Sequence, residues 1–140
     1  MSRKSPKIAA LIESCRGRDL DAHYLGYFEC FNRGLFYEAH DVLEELWLAD
    51  RQGPNGPFYK GLIQLAGAFV HLQKDRPRPA AALFKLAQVN LRKYSPLHQR
   101  LPVDKTLAFI DRWLERLETS RSTSNPLATE TAPRLALAEA

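Results

Sequence analysis

The segment FNRGLFYEAHDVLEELW (31–47) decides the fold, because its apolar residues recur at spacings of three and four. Phe36, Leu43 and Trp47 fall on one broad stripe, as expected for a helix face that packs on a core. Gly34 stands just before this helix and is typical of the residue that ends a preceding one. The segment therefore predicts two helices joined by a tight turn.

The chain on both sides of this segment keeps the same helical spacing, and it lacks the alternating pattern of strands. We predict an all-α fold, a compact bundle of five or six helices built from helical hairpins, with no strand. Asp21 and Asp104 are suited to cap two of the helices. The helices are expected at about residues 5–15, 21–34, 35–50, 58–74, 80–94 and 104–118.

The helix pair around Gly34 is similar to a tetratricopeptide-type pair, and a weak echo of residues 33–50 recurs in residues 76–95. Two imperfect units are too few for an open solenoid. We therefore expect a closed bundle that is tetratricopeptide-like in part.

The length of 140 residues suits one domain with its own core. We predict a single helical domain over residues 1–119. From residue 120 the composition shifts to Ser, Thr, Pro and Ala, which predicts a flexible tail over residues 120–140. Within it, PRLALAEA (133–140) is the part suited to a terminal helical turn.

Composition excludes several classes of protein. Hydrophobic residues make up 45% and charged residues 26% of the chain, which argues against disorder and against a fibrous protein. The weakly polar run 61–70 is much shorter than the roughly 20 residues of a membrane-spanning helix. The N-terminus lacks the apolar stretch and cleavage site of a signal peptide. We expect a soluble, cytoplasmic protein with no membrane partner.

Charge is segregated along the chain. Residues 19–50 carry one basic and eight acidic residues, whereas residues 51–121 carry thirteen basic and five acidic ones. The two halves can neutralise each other within the fold, between subunits or against an anionic partner. The sequence does not choose among these, so a homodimer stays open.

Polar side chains interrupt the apolar faces of the third and fourth helices. His40 and Glu44 are one turn apart, and on the next helix Gln64 and His71 bracket two small residues. If the two helices pack antiparallel across the break at 51–57, the polar sets face each other across a small pocket. The pocket candidates are His40, Glu44, Gln64, His71, Trp47 and Tyr37.

Three interpretations of these residues stay open. The first is a buried hydrogen-bonded network in which Glu44 orders His40. The second is a pocket of a non-enzymatic binding or protein-interaction module that takes a small ligand or a peptide, in a groove that also includes Phe36 and Phe58. The third is a metal-assisted hydrolase or another small-molecule enzyme that uses the same pocket.

The metal candidates are His40, Glu44 and His71, since two imidazoles and a carboxylate suffice for a divalent ion such as zinc. No second motif as specific as His-Glu-x-x-His supports a metal site. We expect no cofactor, and we favour a binding module over an enzyme.

Arg78, Lys85 and Arg92 are spaced by seven and share one helix face, which is the pattern of an anion-binding or nucleic-acid-binding surface. The stripe lacks interleaved aromatic residues for base stacking, and no glycine-rich phosphate loop accompanies it. Nucleic-acid binding is therefore a further alternative that the pattern does not favour.

The opening segment, followed by a Gly/Pro break and FYKGLIQLAGAFVHLQK (58–74), resembles the domain-of-unknown-function family 309, small helical proteins of bacteria and archaea. The resemblance covers about residues 27–94. It departs at Asp41, where the family pattern has Glu, and at DRPRP (75–79), where a Gly-Asn turn is usual. It implies a compact all-helical fold and no assigned reaction. The matching positions are Phe31, Asn32, Gly34, Ala39, His40, Glu44, Trp47, Gly61, Leu62, Ile63, Gln64, Ala66 and His71.

Overall fold

A computed structural model describes residues 6–119, 126–129 and 133–139. The predicted all-α fold is confirmed, while its tetratricopeptide-like character stays a prediction. No helix in these ranges is both long and apolar enough to cross a bilayer. The helices are α1 (Pro6–Ser14), α2 (Ala22–Asn32), α3 (Phe36–Asp50), α4 (Gly56–Gln73), α5 (Pro77–Leu91), α6 (Val103–Thr119) and the single turn α7 (Pro126–Thr129).

Local residue chemistry accounts for several helix ends. Asp21 caps α2 as predicted, because its Oδ1 accepts a hydrogen bond from the His23 backbone N–H at 2.8 Å. Gly34 ends the turn after α2 with a φ of +77°, a conformation that favours glycine. Asp104 does not act as a cap, because α6 already begins at Val103.

A short β-hairpin corrects the prediction that the chain has no strand. β1 (Leu97–His98) pairs antiparallel with β2 (Leu101–Pro102) across a two-residue turn. Both turn residues, Gln99 and Arg100, have positive φ, as a two-residue hairpin turn requires. Two-residue strands are too short to show alternation, and the turn lacks the glycine that normally signals it.

The core is one continuous cluster to which all six longer helices contribute. At its centre, the ring of Phe69 on α4 lies 5.0 Å from Phe36, 5.5 Å from Phe31, 5.2 Å from Phe84 and 4.9 Å from Trp113, measured between ring centroids. These residues belong to α2, α3, α5 and α6. The nearly all-apolar sequence of α4 is therefore explained by neighbours on several sides.

Residues 133–139, which we name the tail segment, pack against the helices without regular secondary structure. The helical turn predicted for this part of the chain is therefore wrong for the described residues. Leu135 is only 6% exposed, and its backbone is bonded to the side chain of Asn32. The flexibility of residues 120–140 and the domain limits at residues 1 and 119 stay predictions.

Candidate functional site

The end of α3 and the start of α4 meet at the half-buried ring of Trp47. Lys60 Nζ lies 4.5 Å from the ring centroid, and Arg51 Cζ lies 5.9 Å from it. Nearer the other end of the pair, the rings of Phe36 and Phe69 stack at 5.0 Å. Both contacts fit the antiparallel packing across residues 51–57 that the sequence predicts.

His40 and Glu44 follow Trp47 along the same edge of α3, and both are half-buried. The His40 ring stacks on that of Tyr37 at 6.5 Å between centroids, and Tyr37 is 61% exposed. Within the described part of the chain Glu44 makes no hydrogen bond or ion pair, so the predicted bond from Glu44 to His40 is not formed. We name Tyr37, His40, Glu44 and Trp47, with Lys60 of α4, the motif edge.

Gln64 is held toward α5, since its Oε1 accepts a hydrogen bond from Asn90 Nδ2 at 2.8 Å. The glycines beside it approach the same helix. A Cβ on Gly61 would lie 2.8 Å from Leu91 Cγ, and one on Gly67 would lie 3.1 Å from Leu83 Cδ1. The face that Gln64 shares with Gly67 therefore packs on α5, and no hydrogen bond joins Gln64 to His40 or Glu44.

His71 lies near the C-terminal end of α4 and is half-buried. Its Nδ1 is buried and has no hydrogen-bond partner. Burial lowers the pKa of the imidazole, and the charges of Arg76 and Lys74 lower it further. His71 is therefore neutral at pH 7.

The three predicted metal ligands do not all lie close together in the structure. Among the described residues, no group of three or more His, Cys, Asp or Glu side chains could hold a metal ion. His40, Glu44 and His71 are thus not brought together as ligands of one ion.

The predicted aromatic groove is only partly accessible. Phe36 and Phe58 are buried in the core and do not line an open surface. Tyr37 is exposed and Trp47 half-buried, so these two remain available to a ligand.

The basic stripe is exposed, as expected for a helix face in solvent. Lys85 Nζ lies 4.0 Å from Glu118 Oε1, which offsets part of the positive charge of the stripe. Arg78 lies in the first turn of α5, and Arg92 lies in the short 3₁₀ turn that follows it.

Asn32 is the polar residue whose contact sequence analysis missed. In the sequence, Asn32 stands out only as one position of the Phe-Asn-x-Gly pattern. In the structure, its side chain binds the backbone of Leu135, more than a hundred positions along the chain. Neither spacing nor composition signals a contact of this kind, because its partner atoms are main-chain atoms that every residue carries.

Comparison with family models matches residues 24–83 to the Domain of unknown function (DUF309). Comparisons with curated proteins and with solved structures found no match. The matched range contains all of α3 and α4 and all but the first two residues of α2, and it includes the motif edge. The resemblance carried by the Phe-Asn-x-Gly and Ala-His-x-x-x-Glu-x-x-Trp patterns is confirmed, since residues 24–83 of this chain are similar to the DUF309 family.

Proposed function

We propose that this protein is a non-enzymatic binding module whose motif edge takes a small polar ligand or a short peptide. The observation that carries the proposal is the state of Glu44, a half-buried carboxylate with no bonding partner among the described residues. It lies one turn from Trp47, whose ring is already contacted by two cations.

The chemistry of the motif edge favours a ligand with both a cationic and an aromatic part. A half-buried carboxylate gains most from a charged hydrogen-bond donor, because such bonds are about twice as strong as neutral ones. The exposed ring of Tyr37, stacked on His40, offers a flat surface for an aromatic group. No comparable observation on the described residues favours the metal-assisted hydrolase.

Tryptophan fluorescence tests the proposal. Trp113 is buried in the core, so Trp113→Phe leaves Trp47 as the reporter at the motif edge. We expect the dipeptide lysyl-phenylalanine to change the Trp47 emission in a saturable way, and glutamyl-phenylalanine to leave it unchanged.

Glu44→Gln in the same background is the matched control, since it keeps the shape of the side chain and removes the charge. It should abolish the response to lysyl-phenylalanine. Equal responses to both dipeptides, or a response that survives Glu44→Gln, would show that the motif edge does not recognise this ligand chemistry.

A further inference from the structure

The tail segment lies in a groove between α2, the β-hairpin and α6. On one side, the Asn32 side chain holds Leu135, donating from Nδ2 to the Leu135 carbonyl at 2.8 Å and accepting from its N–H at 2.7 Å. At the far end, the Ala138 N–H donates to the Arg100 carbonyl at 2.6 Å. All three bonds reach main-chain atoms of the tail segment.

Bonds of this kind bind an extended peptide whatever its sequence, as in the addition of a strand to a sheet edge. Asn32 belongs to the DUF309 match, whereas the tail segment lies outside it. The groove is lined by residues between Arg18 and Arg112, whereas its occupant is residues 133–139, so other segments with the same backbone geometry can make the same bonds.

The side chains of the tail segment differ in how deeply they are buried in the groove. Their burial alternates as in an extended strand: Leu135 is buried and Leu137 half-buried, whereas Ala136 and Ala138 are exposed. The small alanines leave space beside them, in a cleft of about 380 Å³ toward α6 and one of about 330 Å³ toward α2. The groove is thus larger than the side chains that occupy it.

The cleft toward α6 is basic. Lys105 and Arg112 line it next to Ala136 and Ala138, and neither has an acidic partner in the described ranges. Acidic side chains at the two alanine positions would fill the space and pair with these cations.

We propose that this groove is a recognition site for an extended segment of a partner protein, with leucines at alternate positions and acidic side chains between them. The tail segment occupies the site as an internal ligand. Because it is tethered, its effective concentration is high, and a partner must displace it.

The test measures binding of a fluorescein-labelled peptide of residues 131–140 to the full chain by fluorescence anisotropy. Leu135→Asp with Leu137→Asp should release the tail and tighten peptide binding at least about ten-fold over the wild type. Adding Asn32→Ala should remove that gain. A peptide with Asp at the positions of Ala136 and Ala138 should bind more tightly than the native peptide.

Ala136→Asp with Ala138→Asp in the chain is the matched control, because it adds the same charge and leaves the leucines seated. It should bind the labelled peptide no better than the wild type. The proposal is overturned if the tail-released chain gains no affinity, or if the acidic peptide binds no more tightly. If the wild type forms a concentration-dependent dimer in which each copy places its tail segment in the groove of the other, the groove binds a second copy of this chain. That result would overturn the proposal of a different partner protein.

A measurement on the wild type covers the case in which the tail-released chain does not fold. Excess unlabelled acidic peptide, added to ¹⁵N-labelled wild-type protein, should move the amide resonances of Leu135 and Ala138 to those of a free tail. Resonances that stay in place at saturating peptide would overturn the proposal.

Discussion

The Trp47 ring illustrates how the sequence on both sides of one loop sets a residue's surroundings. The break at residues 51–57 turns α4 back along α3, and this places Lys60 over the ring. Arg51, the first residue after α3, adds a second cation. Cation–π contacts at partly exposed sites contribute about 0.5–1 kcal/mol each.

Lys60→Met should lower the free energy of unfolding by about 0.5–1 kcal/mol, because methionine keeps the apolar stem and loses the cation. Urea unfolding followed by circular dichroism measures the change. Lys60→Arg is the control and should keep most of the stability. Equal losses in both variants would mean that the contact with Trp47 acts through packing alone.

His71 should make stability depend on pH. The pKa of His71 is lowered in the folded protein, so the unfolded chain takes up a proton near the ordinary value of 6.5, whereas the folded chain takes it up only at a lower pH. The unfolded state then binds more protons, and stability falls as the pH drops through and below that value.

His71→Gln removes the titrating group and keeps a polar side chain. We expect the loss of unfolding free energy between about pH 7.5 and about pH 5.5 to be smaller in this variant than in the wild type. Part of the dependence should remain, because burial also lowers the pKa of His98. If the unfolding free energy of the variant depends on pH as strongly as that of the wild type, His71 is not the source of the pH dependence.

At the scale of elements, helical periodicity predicted the positions of all six longer helices, because apolar spacing is a local property. It could not assign the faces of α4. When a helix is apolar nearly all round, spacing does not tell which side meets α3 and which meets α5. For this reason the Gln64 face was expected on α3, whereas Gln64 bonds Asn90 of α5.

The hairpin and the tail segment escaped prediction for a different reason. Each strand has two residues, and the tail segment has none of the helical bonds that PRLALAEA suggested. What holds the tail segment is the side chain of Asn32 and the carbonyl of Arg100, both distant in the sequence. Hydrogen bonds between the backbone and residues distant in the chain impose no periodic pattern on the amino-acid sequence.

Gly61 should be required for the close approach of α4 and α5. A Cβ at this position would lie 2.8 Å from Leu91 Cγ and 3.2 Å from Asn90 Cβ. Gly61→Ala should therefore cost about 1–3 kcal/mol of unfolding free energy, as overpacking of a core does.

Gly67→Ala is the matched control, because Gly67 is a second glycine of α4 that approaches α5. Its Cβ would meet only the flexible end of Leu83, at 3.1 Å, and alanine favours the helix by about 1 kcal/mol over glycine. Chemical unfolding should find this variant close to the wild type. If both variants lose the same stability, the contact with Leu91 is not what restricts position 61.

The whole molecule combines one core with a strongly divided charge. The acidic stretch 19–50 contains α2 and α3, whereas the basic stretch 51–121 contains α4, α5 and α6. Because α4 packs against α3, the two stretches face each other within one fold. Arg100 Nη2 of the basic stretch lies 3.2 Å from Asp19 Oδ1 of the acidic stretch, so part of the segregated charge is neutralised within the chain, which is one of the alternatives that the sequence left open.

The shared core predicts that the described helices unfold together. Buried residues from Ile8 of α1 to Leu114 of α6 form one cluster, so no helix keeps a core of its own when the others leave. Trp47 reports on the edge of this cluster and Trp113 on its interior. Single-tryptophan chains made by Trp113→Phe and Trp47→Phe should each show the same urea midpoint by fluorescence as by far-ultraviolet circular dichroism. The contradicting result is a fluorescence midpoint below the circular dichroism midpoint only in the chain that retains Trp47. It would mean that the motif edge opens before the core. A ligand of the motif edge would then bind a locally flexible surface.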